Sequence, residues 1–484
     1  MSEISYEAII GLEVHAELKT ASKIFCACPT TFGAPPNTQC CPVCMGHPGT
    51  LPILNRHAVE LAIRAGLALN CEIARQSRTD RKHYFYPDLP KAYQISQNEI
   101  PLCKNGRLTV SMDGFSREIG IARIHIEEDA GKLIHAGNET RIDFNRCGVP
   151  LIEIVSKPDL RSGAEAAAYL KALRAILSRC GVSDCKMQEG SLRCDVNISL
   201  REMGSEAFGT RVEIKNINSF AFVEKAIHYE ITRQTELLRR GEEICMETRR
   251  FDSVKGVTEL MRTKESAEDY RYLPEPDLLA IRLSEEEIER IADTLPELPA
   301  AQITRLTETY GIRQKDAEIL SAELLLSDFF EAAAAKTRFP QIALNLLLTE
   351  LLPHCASEPF SSPVSWTRLA ELAELLGEGE INSATAKKLL SRLIKDDFSP
   401  ADTVAKEGLA QIRDTDQLQL LVENAMQKMP QAVKDWLHGR YAAMRSLQGK
   451  IMAESGGRAD PVLAEELLTA SLEALKNGKE NLES

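Results

Sequence analysis

The sequence predicts an α+β protein in which a mainly antiparallel sheet domain comes first and all-α domains follow. In the first part of the chain, short segments of alternating apolar and polar residues recur, with few helical patterns between them. From about residue 290 glycine becomes rare, and apolar residues repeat with the helical period of 3.6. A chain of 484 residues is also too long for one core and suggests about three domains.

The strand patterns are segments in which successive side chains alternate in polarity, as on a half-buried strand. Helical patterns over 57–69 and 164–181 fall between them, and the second ends on Gly181, a typical residue after a helix. Because the strands do not alternate regularly with helices, we expect an antiparallel sheet rather than repeated βαβ units. The predicted strands are IIGLEVHAEL, SREIGIARIHIEED, RCDVNISLRE and TRVEIKNI.

The later part of the chain should consist of helical domains. Ser383 is the expected N-cap of one helix, and Pro461 stands in the first turn of another. The stretch 399–414 resembles a junction between two helical domains. The stretches with helical periodicity are SEEEIERIADTLPELP, DAEILSAELLLSDFFEAAAAK, SATAKKLLSRLI and DPVLAEELLTASLEALK.

Charge and hydropathy argue against a non-specific nucleic-acid-binding protein, a secreted protein and a membrane protein. The formal net charge of −13 argues against non-specific binding of nucleic acid, although a local basic patch remains compatible with it. The start, MSEISYEAII, lacks the pattern of a secretion signal, and no apolar run reaches the ~18 residues that span a bilayer. We therefore expect a cytoplasmic protein, or a matrix protein after loss of a leader, with no membrane partner and mostly reduced cysteines.

The stretch GLEVHAELKT places ionisable side chains at every second position. On a strand, Glu13, His15 and Glu17 would share one face, about 7 Å apart, while the apolar residues between them would face a core. A solvated face is one interpretation. A metal or acid/base site is the other, because carboxylates and imidazole are common metal ligands.

Other predicted strands also carry acids. Glu153 lies at the centre of the apolar run GVPLIEIV, where a lone carboxylate is costly unless it is paired or ligated. The segment RIHIEEDAGK adds Glu127 and Glu128, and later strands add Asp195 and Lys215. Several acids, one histidine and nearby cations suit Mg²⁺-dependent phosphoryl transfer. Structural salt bridges on the sheet are the alternative.

Five cysteines cluster near the N-terminus, in FCACPTTFGAPPNTQCCPVCMG. The two close pairs, Cys26 with Cys28 and Cys41 with Cys44, have a spacing that can wrap a tetrahedral Zn²⁺. A redox CxxC is the alternative, disfavoured by the second pair and by the absence of a βαβ context. A shell of four thiolates leaves no open position, so the zinc should be structural.

The usual nucleotide and hydrolase motifs are absent. The sequence contains neither G-x-x-x-x-G-K-[ST] nor G-x-G-x-x-G, so neither a P-loop nor a Rossmann site is indicated. It also lacks the G-x-S-x-G elbow and the Ser/Gly-rich loop of amide hydrolases. An ATP-dependent enzyme with this sequence would hold ATP on a sheet.

Taken together, the motifs closely resemble those of the B subunits of bacterial and organellar aspartyl/glutamyl-tRNA amidotransferases, over nearly the whole chain. The resemblance implies a glutamine synthetase-like cradle domain over 1–292 with a zinc knuckle at 26–44, a helical domain over 293–408 and a tail domain over 409–478. The motifs are, in order, IGLEVHAELKT, CPVCMGHPGTLP, YFYPDLPKAYQISQ, HIEEDAGK, DFNRCGVPLIEIVS, EGSLRCDVNISLR, EIKNINSF, DYRYLPEPDL and GKIMAESGGRADP.

The resemblance also implies an activity. ATP and Mg²⁺ would phosphorylate the side-chain carboxylate of Glu on tRNA-Gln or Asp on tRNA-Asn, and ammonia would then form the amide. The implied partners are misacylated tRNA, a glutaminase A subunit that supplies the ammonia, and a small C subunit. A separate glutaminase fits the absence of a hydrolase motif here.

Residue roles follow from the same resemblance. Glu13, His15, Glu128 and Glu153 match the family's metal-binding positions, and Glu127 could replace Glu128. The expected catalytic residues are Glu13, Asp195 and Lys215; the expected nucleotide contacts are Arg193, Ser191 and Lys82; the expected zinc ligands are Cys26, Cys28, Cys41 and Cys44. Ala92 stands where the family commonly has glycine, which we interpret as tolerated drift.

Two segments are candidates for contact with tRNA. The stretch RTDRKHYFYP at 78–87 combines cations with aromatic rings, which suits phosphate contacts plus base stacking. An aromatic core flanked by solvated charges is the alternative. A basic helix over 434–450 could contact the tRNA body, and such binding should weaken steeply with salt.

Two other functions remain open from the sequence. A non-catalytic, zinc-stapled tRNA-binding scaffold would have no use for Glu153 inside an apolar run. A free ligase of small carboxylates would not need the large helical part. Both are therefore disfavoured.

Overall fold

The computed structural model describes residues 5–112, 115–263, 270–357 and 360–483. It divides into two compact units, residues 1–301 and 302–484. The first is mixed α and β around a large sheet, and the second is helical apart from one two-residue strand pair. The predicted fold class is confirmed.

The first unit is built on a nine-stranded sheet with the order β14-β13-β12-β11-β1-β10-β7-β6-β2. Its pairings are antiparallel except for β12 with β13. The strands of the unit are β1 (Tyr6–Glu17), β2 (Glu72–Ile73), β3 (Gln76–Ser77), β4 (Asp80–His83), β5 (Tyr93–Ser96), β6 (Cys103–Met112), β7 (Phe115–Glu128), β8 (Lys132–Ala136), β9 (Glu139–Asp143), β10 (Pro150–Ser156), β11 (Leu192–Glu202), β12 (Val212–Ile217), β13 (Glu247–Asp252), β14 (Val257–Thr263), β15 (Leu273–Pro274) and β16 (Ile281–Arg282).

Helices cover one face of this sheet. Leu12, Val14 and Ala16 of β1 are buried in a single apolar core that also includes residues of the first three helices. Because side chains alternate along β1, burying these three residues leaves Glu13, His15 and Glu17 on the other face. The helices of the unit are α1 (Arg56–Ala68), α2 (Gly163–Arg179), α3 (Phe220–Arg239) and α4 (Glu285–Ala292).

The second unit has two separate apolar clusters, one formed by residues between 306 and 404 and one by residues between 418 and 472. The predicted domain boundaries at 292 and 408 remain a prediction. The helices are α5 (Pro299–Tyr310), α6 (Gln314–Ser321), α7 (Leu324–Ala334), α8 (Pro340–Asn345), α9 (Trp366–Gly377), α10 (Ser383–Leu393), α11 (Pro400–Glu407), α12 (Thr415–Lys428), α13 (Pro430–Leu437), α14 (Ala443–Glu454) and α15 (Pro461–Glu483), with β17 (Ala356–Ser357) paired to β18 (Phe360–Ser361).

Some local details differ from the sequence-based expectations. The N-cap of α10 is Asn382, whose side chain accepts from the N–H of Thr385 at 3.0 Å, and Ser383 is the first helical residue. The basic stretch 434–450 is divided between α13 and α14 rather than lying on one helix. Asn and Ser are both strong N-caps, so composition did not distinguish these neighbours. Among the described residues, no helix is long and apolar enough to cross a bilayer.

Candidate functional site

Strand register places four polar side chains in one row on the sheet face opposite the helices. His15 of β1 lies opposite Glu153 of β10, and Glu153 lies opposite His125 of β7. On its other side, His15 lies opposite Arg193 of β11. Paired residues on antiparallel strands share a face, so the row is continuous across four strands.

The first carboxylate cluster forms around His15. Its Nε2 atom lies 3.5 Å from Oε1 of Glu127 and 3.4 Å from Oε2 of Glu153. Ligand atoms of these three residues lie within 4.8 Å of one another. One imidazole nitrogen and two carboxylates at this spacing could hold a divalent cation.

A second cluster lies beside the first. Ligand atoms of Glu13, Asp195 and Glu213 also lie within 4.8 Å of one another. The Nζ atom of Lys215 lies 2.5 Å from Oδ2 of Asp195 and 3.0 Å from Oε1 of Glu213. The side-chain amide of Asn197 donates to Glu13 at 3.0 Å. The structure therefore brings the three predicted catalytic residues, Glu13, Asp195 and Lys215, together, and Lys215 is the positive charge of this cluster.

Charge interactions shift the protonation of the first cluster. Burial opposes ionisation of Glu153, but His125 and His15 outweigh it and hold the pKa of Glu153 well below its usual range. Burial likewise opposes a charged imidazole, yet Glu153 and Glu127 raise the pKa of His125 to about 9. The pKa of His15 is raised for the same reasons. The carboxylate of Glu153 thus stays ionised, as cation binding requires.

Burial acts differently on Glu13 and Lys215. Desolvation and the nearby carboxylate of Glu153 raise the pKa of Glu13. For Lys215, burial opposes the charge, but Asp195 and Glu213 raise its pKa above the ordinary value. Lys215 is therefore a fixed cation, whereas the ionised form of Glu13 is disfavoured by its surroundings.

Glu128 is not brought to either cluster. Its carboxylate receives Nζ of Lys91 at 2.6 Å and the N–H of Ile95 at 2.9 Å. Successive side chains of β7 point to opposite faces, so Glu127 joins His15 while Glu128 points away. Adjacent acids in a sequence give no sign of which one faces the site.

Arg193 lies at the edge of the site and is held by Asp129. Its guanidinium is 2.9 Å from Oδ2 of Asp129, which also receives Arg146 at 2.5 Å. Burial opposes the Asp129 charge, but the two arginines lower its pKa. Nearby, burial and Asp129 raise the pKa of Glu17 to about 7. The side chain of Arg193 remains 40% exposed, so it can still contact an anion.

The two other predicted nucleotide contacts are engaged elsewhere. The hydroxyl of Ser191 donates to Asp184 at 2.5 Å and accepts from the N–H of Lys186 at 2.8 Å. Both hydrogen bonds lie within the loop that precedes β11. The Nζ atom of Lys82 lies 4.8 Å from the ring centre of Tyr270 and 5.9 Å from that of Tyr84. Neither residue is placed in the two carboxylate clusters.

Three residues of the site were given no role by the sequence-based prediction: His125, Glu213 and Asn197. His125 alternates with Glu127 in RIHIEED, and Glu213 alternates with Lys215 in RVEIKNI, so period-two spacing was a usable signal. Asn197 had no comparable signal, because a single amide on a strand is common.

The four predicted zinc ligands converge. The sulfur atoms of these cysteines lie within 4.8 Å of one another, as a tetrahedral site requires: Cys26, Cys28, Cys41 and Cys44. The thiol of Cys26 donates to Cys44 and lowers the pKa of Cys44, and the N–H of Cys41 reaches the same sulfur at 3.2 Å. The sulfur of Cys40 instead lies 4.0 Å from Oδ1 of Asn145. The donor set fits Zn²⁺.

The segment 78–87 is less basic than its composition suggests. Arg81 is bound by Glu275 at 2.8 Å and by Asp277 at 3.0 Å. Phe85 and Tyr86, by contrast, are 82% and 56% exposed. The exposed feature of this segment is aromatic, and part of its positive charge is already neutralised.

Comparisons with known proteins are consistent across the chain. A family model described as the GatB/GatE catalytic domain matches residues 8–289, and one described as the GatB domain matches residues 328–472. A curated relative from Caldanaerobacter subterraneus subsp. tengcongensis, named as the B subunit of aspartyl/glutamyl-tRNA(Asn/Gln) amidotransferase, is 49% identical over 97% of this chain and 100% of its own length. Relatives of the same name from Carboxydothermus hydrogenoformans and Thermodesulfovibrio yellowstonii are 48% and 49% identical, over 97% and 96% of this chain and 99% of their own lengths.

Proposed function

Because the chain belongs to the family of aspartyl/glutamyl-tRNA(Asn/Gln) amidotransferase B subunits, we propose that it amidates misacylated tRNA at the expense of ATP. The substrate would be Glu-tRNA(Gln), Asp-tRNA(Asn) or both, and the product the corresponding Gln-tRNA or Asn-tRNA. The observation that carries this proposal is the meeting of His15, Glu127 and Glu153 on the sheet face opposite the helices.

The proposed reaction has two steps. An oxygen of the substrate side-chain carboxylate attacks the γ-phosphorus of ATP, the bond to the β-phosphate oxygen breaks, and ADP leaves. Ammonia then attacks the carbon of this acyl phosphate, phosphate leaves, and the nitrogen loses a proton to give the amide. Both steps concentrate negative charge, so the site must supply cations.

His15, Glu127 and Glu153 are the residues that would hold Mg²⁺. A metal held there would supply positive charge to offset the negative charge that develops during phosphoryl transfer. Lys215 supplies a fixed positive charge beside this position, and Arg193, whose side chain is 40% exposed, adds a second one at its edge. Asp195 pairs with Lys215 and would orient it, and Glu13 lies opposite Asp195 on the same face.

The proposal needs a source of ammonia. We propose that a glutaminase A subunit supplies it and that a small C subunit completes the assembly, in line with the subunit designation of the relatives. The exposed aromatic rings of Phe85 and Tyr86 are candidate contacts for unpaired bases near the acceptor end of the tRNA. The cysteine knuckle would bind a structural Zn²⁺ and take no part in the reaction.

The test uses the full chain with ATP, Mg²⁺, misacylated tRNA and ammonium chloride, which replaces the glutaminase. Wild-type protein should cleave ATP and form Gln-tRNA or Asn-tRNA. Glu153→Gln keeps the shape of the side chain but removes its charge, so ATP cleavage should fall by about 100-fold or more. Unchanged ATP cleavage would exclude this site as the centre of the reaction.

A matched control lies on a neighbouring strand. Glu118 belongs to β7 but is 62% exposed and pairs with Arg107 at 3.6 Å. Glu118→Gln therefore makes the same chemical change away from the site and should leave ATP cleavage at the wild-type rate. Misacylated tRNA of each kind, supplied separately, will identify the substrate.

A further inference from the structure

His125 is an imidazole enclosed by the sheet and directed at the two carboxylates of the first cluster. It is 3% exposed, and its Nε2 atom lies 3.4 Å from Oε2 of Glu153 and 3.7 Å from Oε2 of Glu127. Register explains both contacts, because His125 lies opposite Glu153 and two positions before Glu127 on the same face of β7.

No other polar group among the described residues uses this imidazole. Its Nδ1 atom is buried without a hydrogen-bond partner there. Ionised carboxylates only accept hydrogen bonds, so a hydrogen on the Nε2 atom faces Oε2 of Glu153 at 3.4 Å and attracts Glu127 at the longer distance of 3.7 Å.

His15 and His125 approach Oε2 of Glu153 at the same distance, 3.4 Å, but from different surroundings. The side chain of His15 is 21% exposed and can present its ring to a ligand, whereas that of His125 is 3% exposed. The partly exposed His15 can therefore contact a bound cation directly. The buried His125 can act only on the two carboxylates.

We propose that His125 is a positioning residue, which donates through Nε2 to Glu153, attracts Glu127 and so fixes both carboxylates for a divalent cation. The inference rests on the metal site proposed above. Hydrogen-bond partners of metal ligands commonly change metal affinity by about 10- to 100-fold. Without this shared donor, the two carboxylates would lose their common orientation and repel each other.

The experiment measures binding of Mn²⁺ to the full chain by electron paramagnetic resonance, with Mn²⁺ as the probe for the Mg²⁺ position. His125→Leu removes the donor and should raise the dissociation constant by about 10-fold or more. His125→Gln restores a donor N–H at a similar reach and should return the constant to within about threefold of wild type. His135→Gln is the control, because His135 is exposed on β8 and should not affect binding.

The outcomes separate the inference from the proposed function. Wild-type protein that binds no Mn²⁺ would overturn the metal site and the inference together. Wild-type affinity in His125→Leu would overturn the inference alone, as would an equal loss in His125→Leu and His125→Gln. If His125→Leu fails to fold, His125→Asn, whose amide is too short to reach both carboxylates, should show the weakened affinity instead, and wild-type affinity in that variant would overturn the inference.

A kinetic readout distinguishes positioning from general loss of structure. In His125→Leu, the Mg²⁺ concentration for half-maximal ATP cleavage should rise, while kcat at saturating Mg²⁺ should approach the wild-type value. A fall in kcat with an unchanged Mg²⁺ requirement would contradict a positioning role.

Discussion

Glu127 and Glu128 are adjacent in the sequence but bind on opposite sides of β7: Glu127 lies 3.5 Å from His15, whereas Glu128 lies 2.6 Å from Lys91. The pleat of the strand separates them completely. One carboxylate therefore belongs to the candidate metal site, and the other belongs to a buried ion pair behind it.

Two substitutions test this separation. Glu127→Gln should abolish Mn²⁺ binding, because a charged ligand is lost. Glu128→Gln should retain Mn²⁺ binding but lower the free energy of unfolding by about 3 kcal/mol, because it leaves Lys91 buried without its charge partner. Metal titration and urea unfolding of both variants check the two effects. Loss of Mn²⁺ binding in a folded Glu128→Gln protein would contradict the assignment.

The ionised side chain of Glu13 should lower the stability of the folded protein. Its pKa is raised by desolvation and by Glu153, so its ionised form is disfavoured in the folded protein. A raised carboxyl pKa means that folding loses stability as pH rises above the unfolded value of about 4. Without metal, Glu13→Gln should therefore be more stable than wild type by about 1 kcal/mol at pH 7.

The advantage of Glu13→Gln should shrink as pH falls toward about 4 and vanish below it, where the wild-type carboxyl becomes protonated in both the folded and the unfolded state. Asn197 can still donate to the amide oxygen of the new side chain, so the gain is not offset by a lost hydrogen bond. Urea unfolding in EDTA at several pH values measures this, and amidation of tRNA should be lost in parallel. A pH-independent difference would show that charge is not its cause.

Ala92 occupies a strained backbone position. Its φ is 63°, in the left-handed region that costs a residue with a Cβ about 1 kcal/mol or more. Ala92→Gly should therefore raise the free energy of unfolding by about 0.5–1 kcal/mol, after allowing for the larger entropy of glycine in the unfolded chain. Ala130→Gly, at a position with no positive φ, should instead destabilise or have no effect.

Removal of zinc should make the cysteine knuckle more accessible to protease while the sheet remains folded. Residues 30–50 contain no helix or extended strand, so the four cysteines provide much of their restraint. After chelation, proteolysis within 30–43 should become about 10-fold faster, while the sheet strands stay resistant. Limited proteolysis followed by mass spectrometry, with zinc added back as the control, tests this. Equal cleavage with and without zinc would contradict a structural role for the metal.

Period and spacing predicted most of the fold. Alternation identified β1, β7, β11 and β12, because burying one face of a strand imposes a period of two. The change to a period of 3.6 identified the helical part. Ala92 shows the limit of this approach: its departure from the family pattern suggests tolerated drift, whereas the structure shows that it carries a backbone cost.

The sequence by itself determined which residues have the chemistry: acids, histidines and lysine at alternate positions on strands, and four cysteines at metal-binding spacing. Only the tertiary structure decided which of them meet. The pairing register of β1 with β10 and β11 brings His15 to Glu153 and Glu13 to Asp195, from segments far apart in the chain. Register depends on the packing of a whole sheet face against its helices, and a shift of one residue would turn each of these side chains to the other face.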